Sequence, residues 1–222
     1  MTSQDHAPAR VRAPRRDAAE NRESLIRAAA TLLDRDPGAS LDAIAAEAGL
    51  SRRAVYGHFA TRDDLLRELA LHGAARINAA VVSDGAPDEP TDPATRLALV
   101  AVRLWNEVDH VRTMALVTVR GPHMLLVGDA LAPLRQHVQG IVERGVEAGS
   151  FRTDIDPERL SRLVESAAIS VLDEATRHGL TTGEGRRLVA LSALSMAGFS
   201  YGEAAPYLEA ALLLDTQKED LP

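Results

Sequence analysis

The chain has 222 residues, a net charge of −7, 45% hydrophobic and 26% charged residues, and no cysteine. That composition supports a buried core and argues against wholesale disorder; it excludes disulfides, thiolate metal sites and a cysteine nucleophile. No apolar run approaches the length of a membrane span, and "MTSQDHAPARVRAPRR" lacks the apolar centre of a secretory signal.

The charge is uneven. Residues 1–76 carry 12 arginines against 11 acids, while the remainder carries 13 bases against 21 acids. An acidic surface repels phosphate, so any nucleic-acid contact is expected in the first third.

Residues 1–16 read as a flexible basic arm with Arg10, Arg12, Arg15 and Arg16. It is either a solvated tail or an arm that touches DNA. From Asp17 to Asp36 the pattern is helical: Leu25, Ile26, Ala29, Leu32 and Leu33 form one stripe. "DPG" then breaks the chain. Ser40 caps a short second helix with Leu41, Ile44, Ala45 and Ala48 on one face. Gly49 ends it. Ser51 caps a third helix reaching Phe59, and Thr61, with Asp64 at the capping-box position, opens a fourth to about Val82.

"SDGAPDEPTDP" is a loop. Asp92 and Pro93 start a helix to about Asp109. A short helix is expected over Val111–Val119, and "RGPHM" breaks it. A longer one is expected from about Asp129 to Ala148, closed by Gly149. Asp156 and Pro157 start an amphipathic helix with Leu160, Leu163, Val164, Ala167, Ala168, Val171, Leu172 and Ala175 along its stripe. "HGLTTGEG" reads as a turn, followed by helices over Gly185–Ala197 and Glu203–Leu214. Strand alternation is absent. The expected fold is all-α, with about nine or ten helices.

The chemistry concentrates in "GLSRRAVYGHFATRDDLL" (residues 49–66), which holds two of the chain's seven aromatic residues. Helix, tight turn through Gly49, helix is the helix-turn-helix arrangement. Advancing about 100° per residue puts Ala54, Val55 and Phe59 inward and Arg52, Arg53, Tyr56 and Gly57 outward, with His58 between. The outward set suits DNA. Arginine can fork to a guanine edge, a tyrosine hydroxyl can donate to a phosphate, and Gly57 permits close backbone approach. The bland alternative is a surface helix with solvated arginines.

This stretch resembles the DNA-binding domain of the TetR (tetracycline repressor) family. The matching residues are Ile44-Ala45, Ala48-Gly49-Leu50-Ser51, Tyr56, His58-Phe59, Arg62 and Leu65-Leu66, within about residues 20–70. The resemblance implies a homodimer on a palindromic double-stranded operator and a C-terminal domain whose small-molecule effector releases the DNA. It implies phosphate contacts from Tyr56, His58 and Arg62 and base reading by Arg52 and Arg53. Ser40, Ser51 and Gly57 complete the DNA-binding set. Two positions depart from the family's habit. Arg62 stands where lysine is more usual, and Arg53 where a small residue often stands.

The resulting division is an arm over 1–16, a helix-turn-helix domain over 17–64, an effector-binding and dimerisation domain over 65–216, and a tail over 217–222. For the effector, the candidates are Trp105, Asn106, Met114, His123, Met124, His137 and Phe151; a lone tryptophan is more often a core residue. "ESAAISVL" and "ALSALSMAG" are small and apolar nearly all round. That favours either an isologous dimer through Leu163, Ala167, Ser170, Val171, Leu191, Leu194 and Ala197, or a plain intramolecular core. His110, His123 and His137 lack metal-ligand spacing, so neither metal nor cofactor is expected. No phosphate loop or Ser/His/Asp set suggests an enzyme. The reading is a cytoplasmic, ligand-switched repressor. A DNA binder without an effector, or governed by a partner, is the alternative, and an α-helical enzyme the remote one.

Overall fold

The computed structural model describes residues 14–82, 92–112, 115–116 and 124–219; of residues 14–16, 124 and 218–219 it describes the backbone alone. Residues 1–13 of the expected arm, most of the 83–93 loop, most of the expected 111–119 helix and the last residues of the tail lie outside them. Every regular element among the described residues is helical. The chain divides into two compact units, Met1–Leu66 and Arg67–Pro222.

The first unit holds α1 (Pro14–Arg35), α2 (Leu41–Glu47), α3 (Arg52–His58) and the start of α4 (Arg62–Val81). Helix α1 begins three residues earlier than expected, inside the supposed arm. Leu25, Ile26, Ala29 and Leu33 of its stripe are buried with Leu41, Ile44, Ala45, Val55, Phe59 and Leu65. The caps explain why such short helices hold their register. Ser40 Oγ accepts from the Ala43 amide and Ser51 Oγ from the Ala54 amide, each at 3.2 Å. At α4, Thr61 and Asp64 exchange a reciprocal pair: Thr61 N–H donates to Asp64 Oδ2 at 3.0 Å, and Asp64 N–H to Thr61 Oγ1 at 3.1 Å. A good cap is worth about 1 kcal/mol.

The second unit is built around α5 (Pro93–Val108). Ala94, Leu97, Ala98, Leu99, Val100, Ala101, Val102 and Trp105 are all buried, as expected of a helix that is apolar nearly all round. A short 3-10 turn, Asp109–Val111, follows it. Then come α6 (Met124–Ala130), α7 (Ala132–Glu147), α8 (Pro157–His178), α9 (Thr182–Ala197) and α10 (Tyr201–Glu219). Helices α7, α9 and α10 pack on α5, and α8 packs on α7 and α9.

Three further elements differ from the sequence reading, each for a local reason. The single helix expected over 129–148 is two, broken at Leu131 (φ −91°, ψ 8°). Pro133 has no N–H for the Asp129 carbonyl and its ring crowds that position. Helix α9 starts at Thr182, because Thr181 and Glu184 form a capping box within what reads as a turn. Helix α10 runs from Tyr201 to Glu219 rather than 203–214, opened by Ser200 and Glu203, whose carboxylate accepts the Ser200 amide at 2.9 Å.

Candidate nucleic-acid interface

The turn between α2 and α3 needs a residue at positive φ. Gly49 supplies it at +67°, where a Cβ would be strained. Its amide donates to the Ala46 carbonyl at 3.0 Å and that of Leu50 to the Ala45 carbonyl at 2.8 Å, which closes α2 before α3 begins. Helix α3 then divides as its rotation dictates. Val55 and Phe59 are buried and Ala54 is half-buried. Arg52, Arg53 and Gly57 are exposed, His58 is intermediate, and Tyr56 is 45% exposed. A large aromatic side chain left that open, between two arginines, leaves a polar hydroxyl and a flat face available on the surface.

The remaining side chains fall into two groups. Arg53 has no ion pair or hydrogen bond among the described residues. Arg52 Nη1 lies 3.3 Å from Asp42 Oδ2 of α2, and its guanidinium sits over the Tyr56 ring, 5.4 Å from the centroid. Arg22 of α1 stacks on the buried Phe59 ring at 4.7 Å and donates to the His58 carbonyl at 3.4 Å, so it braces the end of α3. Arg62 faces the protein more than the sequence suggests. Its Nε donates to the Ala39 carbonyl at 2.9 Å and its Nη2 to the Pro37 carbonyl. Those two bonds tie the α1–α2 loop to α4. Arg22 and Asp42 were not singled out from sequence; their partners lie far along the chain or across a turn, where residue spacing gives no signal.

The effector candidates gather less well. Trp105 is buried in the second unit's core. A Cβ on Gly185 would lie 2.1 Å from its indole, so the ring fills the space that glycine leaves. Arg112 stacks on the indole at 5.3 Å. Phe151 is likewise core: a Cβ on Gly145 would meet its ring at 2.3 Å, and it makes an edge contact with Phe199 at 5.9 Å. Asn106 is engaged at both ends, accepting from Arg186 Nε at 2.6 Å and donating to the buried Asp215 at 2.8 Å. Trp105, Phe151 and Asn106 are thus each engaged by this chain's own residues. His137 is half-buried on α7. Met114 and His123 lie outside the described residues, as does the side chain of Met124.

The interface candidates also sort. Val171, Leu194 and Ala197 are buried within this chain. The core of the second unit uses them. Leu163 at 39% exposure and Ser170 are open, while Ala167 and Leu191 are intermediate.

Residues 25–69 match the family model described as bacterial regulatory proteins, tetR family. None of the curated proteins matches the chain. Several solved structures share its fold. A bacterial regulatory protein of the tetR family from Rhodococcus RHA1 is 23% identical with a TM-score of 0.64, covering 82% of this chain and 98% of that one. The transcriptional regulator FadR from Bacillus subtilis, in complex with stearoyl-CoA, is 14% identical with a TM-score of 0.66, covering 79% and 97%. SmeT, the repressor of the Stenotrophomonas maltophilia multidrug efflux pump SmeDEF, is 19% identical with a TM-score of 0.63, covering 81% and 90%. All three are regulators. Among the described residues, no helix is long and apolar enough to cross a membrane.

Proposed function

We propose that this chain, whose N-terminal domain is that of the bacterial regulatory proteins of the tetR family, is a homodimeric repressor that a small molecule releases from a palindromic operator. The observation that carries the DNA-binding part is α3 itself. Val55 and Phe59 seat it from beneath, Gly49 turns the chain into it, and Arg52, Arg53 and Tyr56 stand outward together. In this reading Arg52 and Arg53 contact base edges in the major groove. Tyr56 and His58 hold phosphates, and Ser40, Ser51 and Gly57 lie at the backbone. Arg62 acts chiefly by fixing the loop before α2.

A two-fold dimer places two α3 helices one DNA turn apart, about 34 Å. Leu163 and Ser170 on α8, with Ala167 and Leu191 beside them, are its proposed contacts. The likeness to a regulator holding stearoyl-CoA supports an effector in the second unit. Helix α4 is unbroken across Leu66 and Arg67, where the chain divides. In this reading a shift of its C-terminal part on effector binding passes along the helix to Arg62, which holds the α1–α2 loop. The coupling needs about 1–3 kcal/mol of differential affinity.

Selection from random duplexes tests the reading. The expected product is an inverted repeat with half-sites about one turn apart. Absence of any enriched sequence would overturn it, and a single enriched half-site would overturn the dimer. Adding candidate ligands to the selected complex then separates an effector-released repressor from a DNA binder that needs none.

A further inference from the structure

Arg52 differs from Arg53 in being held on two sides. Asp42 Oδ2 lies 3.3 Å from its Nη1, and the Tyr56 ring lies under the guanidinium at 5.4 Å. The Arg52 side chain is 74% exposed and that of Asp42 44%. An ion pair this open contributes little to folding. Capping does not require the carboxylate either, because Ser40 Oγ already accepts the Ala43 amide. Asp42 is thus an acid whose part in folding is small, a first-turn carboxylate at the start of α2, placed beside a helix whose outward face otherwise carries cations and a tyrosine.

Its effect on Arg52 follows from charge and geometry. A free surface arginine is drawn to the phosphates of any duplex, and that attraction carries no sequence information. A carboxylate on one edge of the guanidinium offsets its charge and weakens that pull. The ring beneath and the carboxylate beside it also restrict the orientation of the fork. The donors that remain are rewarded chiefly by a base edge with two acceptors in the right place, such as guanine O6 and N7.

We propose that Asp42 is a specificity-determining residue that orients Arg52 for a base edge and withholds it from phosphates. This rests on the reading of α3 as the DNA-contacting helix.

The test uses the full-length chain, the duplex recovered by selection, and an unrelated duplex of equal length. Asp42→Asn keeps the shape and removes the charge. It is expected to bind the unrelated duplex about fivefold more tightly, and to steepen the slope of log affinity on log salt by about one phosphate contact. Discrimination at the base pair whose preference is lost in Arg52→Gln should fall by about fivefold, the low end of what an arginine–guanine pair supplies. In the Arg52→Gln background, Asp42→Asn should leave that discrimination unchanged. Asp42→Glu, which keeps the charge, should bind the unrelated duplex as the unaltered chain does, so a folding defect in one variant does not decide the matter. Full discrimination in Asp42→Asn, or the same loss with and without Arg52, overturns the proposal. A lack of any sequence preference in the unaltered chain fails the reading of α3 instead.

Discussion

The helix-turn-helix of the first unit and the core of the second use glycine and aromatic residues in opposite ways. In the first, Gly49 provides a left-handed turn with nothing near its missing side chain, and the aromatic Tyr56 stands open on α3. In the second, Gly185 and Gly145 are helical, and their missing side chains are the seats of Trp105 and Phe151. Gly49 shapes a turn, whereas Gly145 and Gly185 make room for rings; the second unit also turns its chain at the left-handed Gly149, Gly179 and Gly198. The difference teaches where an aromatic residue in this chain belongs to a surface and where it belongs to a core, which composition alone does not say.

Substitutions can break that contrast, beginning with the largest expected effect. Phe59 is the ring of the first unit that behaves like those of the second. Phe59→Ala should destabilise its unit by about 3–5 kcal/mol. Urea unfolding followed by circular dichroism should move to lower concentration, while the Trp105 fluorescence transition stays. If the two signals shift together, the units do not unfold separately. Gly185→Ala should cost about 1–3 kcal/mol through overpacking against Trp105, although alanine is the better helix former by about 1 kcal/mol. The emission of the single tryptophan should shift to the red; unchanged stability and emission would show that the indole is not seated there. Smallest is Tyr56→Phe, which removes only the exposed hydroxyl. It should weaken binding to all duplexes alike by about 1 kcal/mol, measured by fluorescence anisotropy. A changed base preference would move Tyr56 from phosphate to base.

The first unit was legible because its signals are contiguous. A serine cap, a glycine and a second serine cap stand within a dozen residues, and rotation at helical pitch separated buried Val55 and Phe59 from exposed Arg52 and Arg53. The Asp42–Arg52 pair was not legible, since it joins two helices across the turn. In the second unit, Val171, Leu194 and Ala197 lie on helices apolar on several sides. Such a sequence states that a face is covered without saying whether this chain or a second copy covers it. The start of α9 was hidden by Gly183 and Gly185, which read as a turn although Thr181 and Glu184 cap a helix through them. A lone tryptophan is more often core than pocket, and Gly185, distant in sequence, is what seats Trp105 in the core.

The central claim is that the outward face of α3 reads DNA sequence, and Arg53 tests it most directly because no other described residue holds it. Titration of the unaltered chain and Arg53→Ala against the selected duplex and an unrelated one should show a loss of about 1–3 kcal/mol on the selected duplex, with a much smaller loss on the unrelated duplex. Equal losses on both, or none on either, would contradict the account.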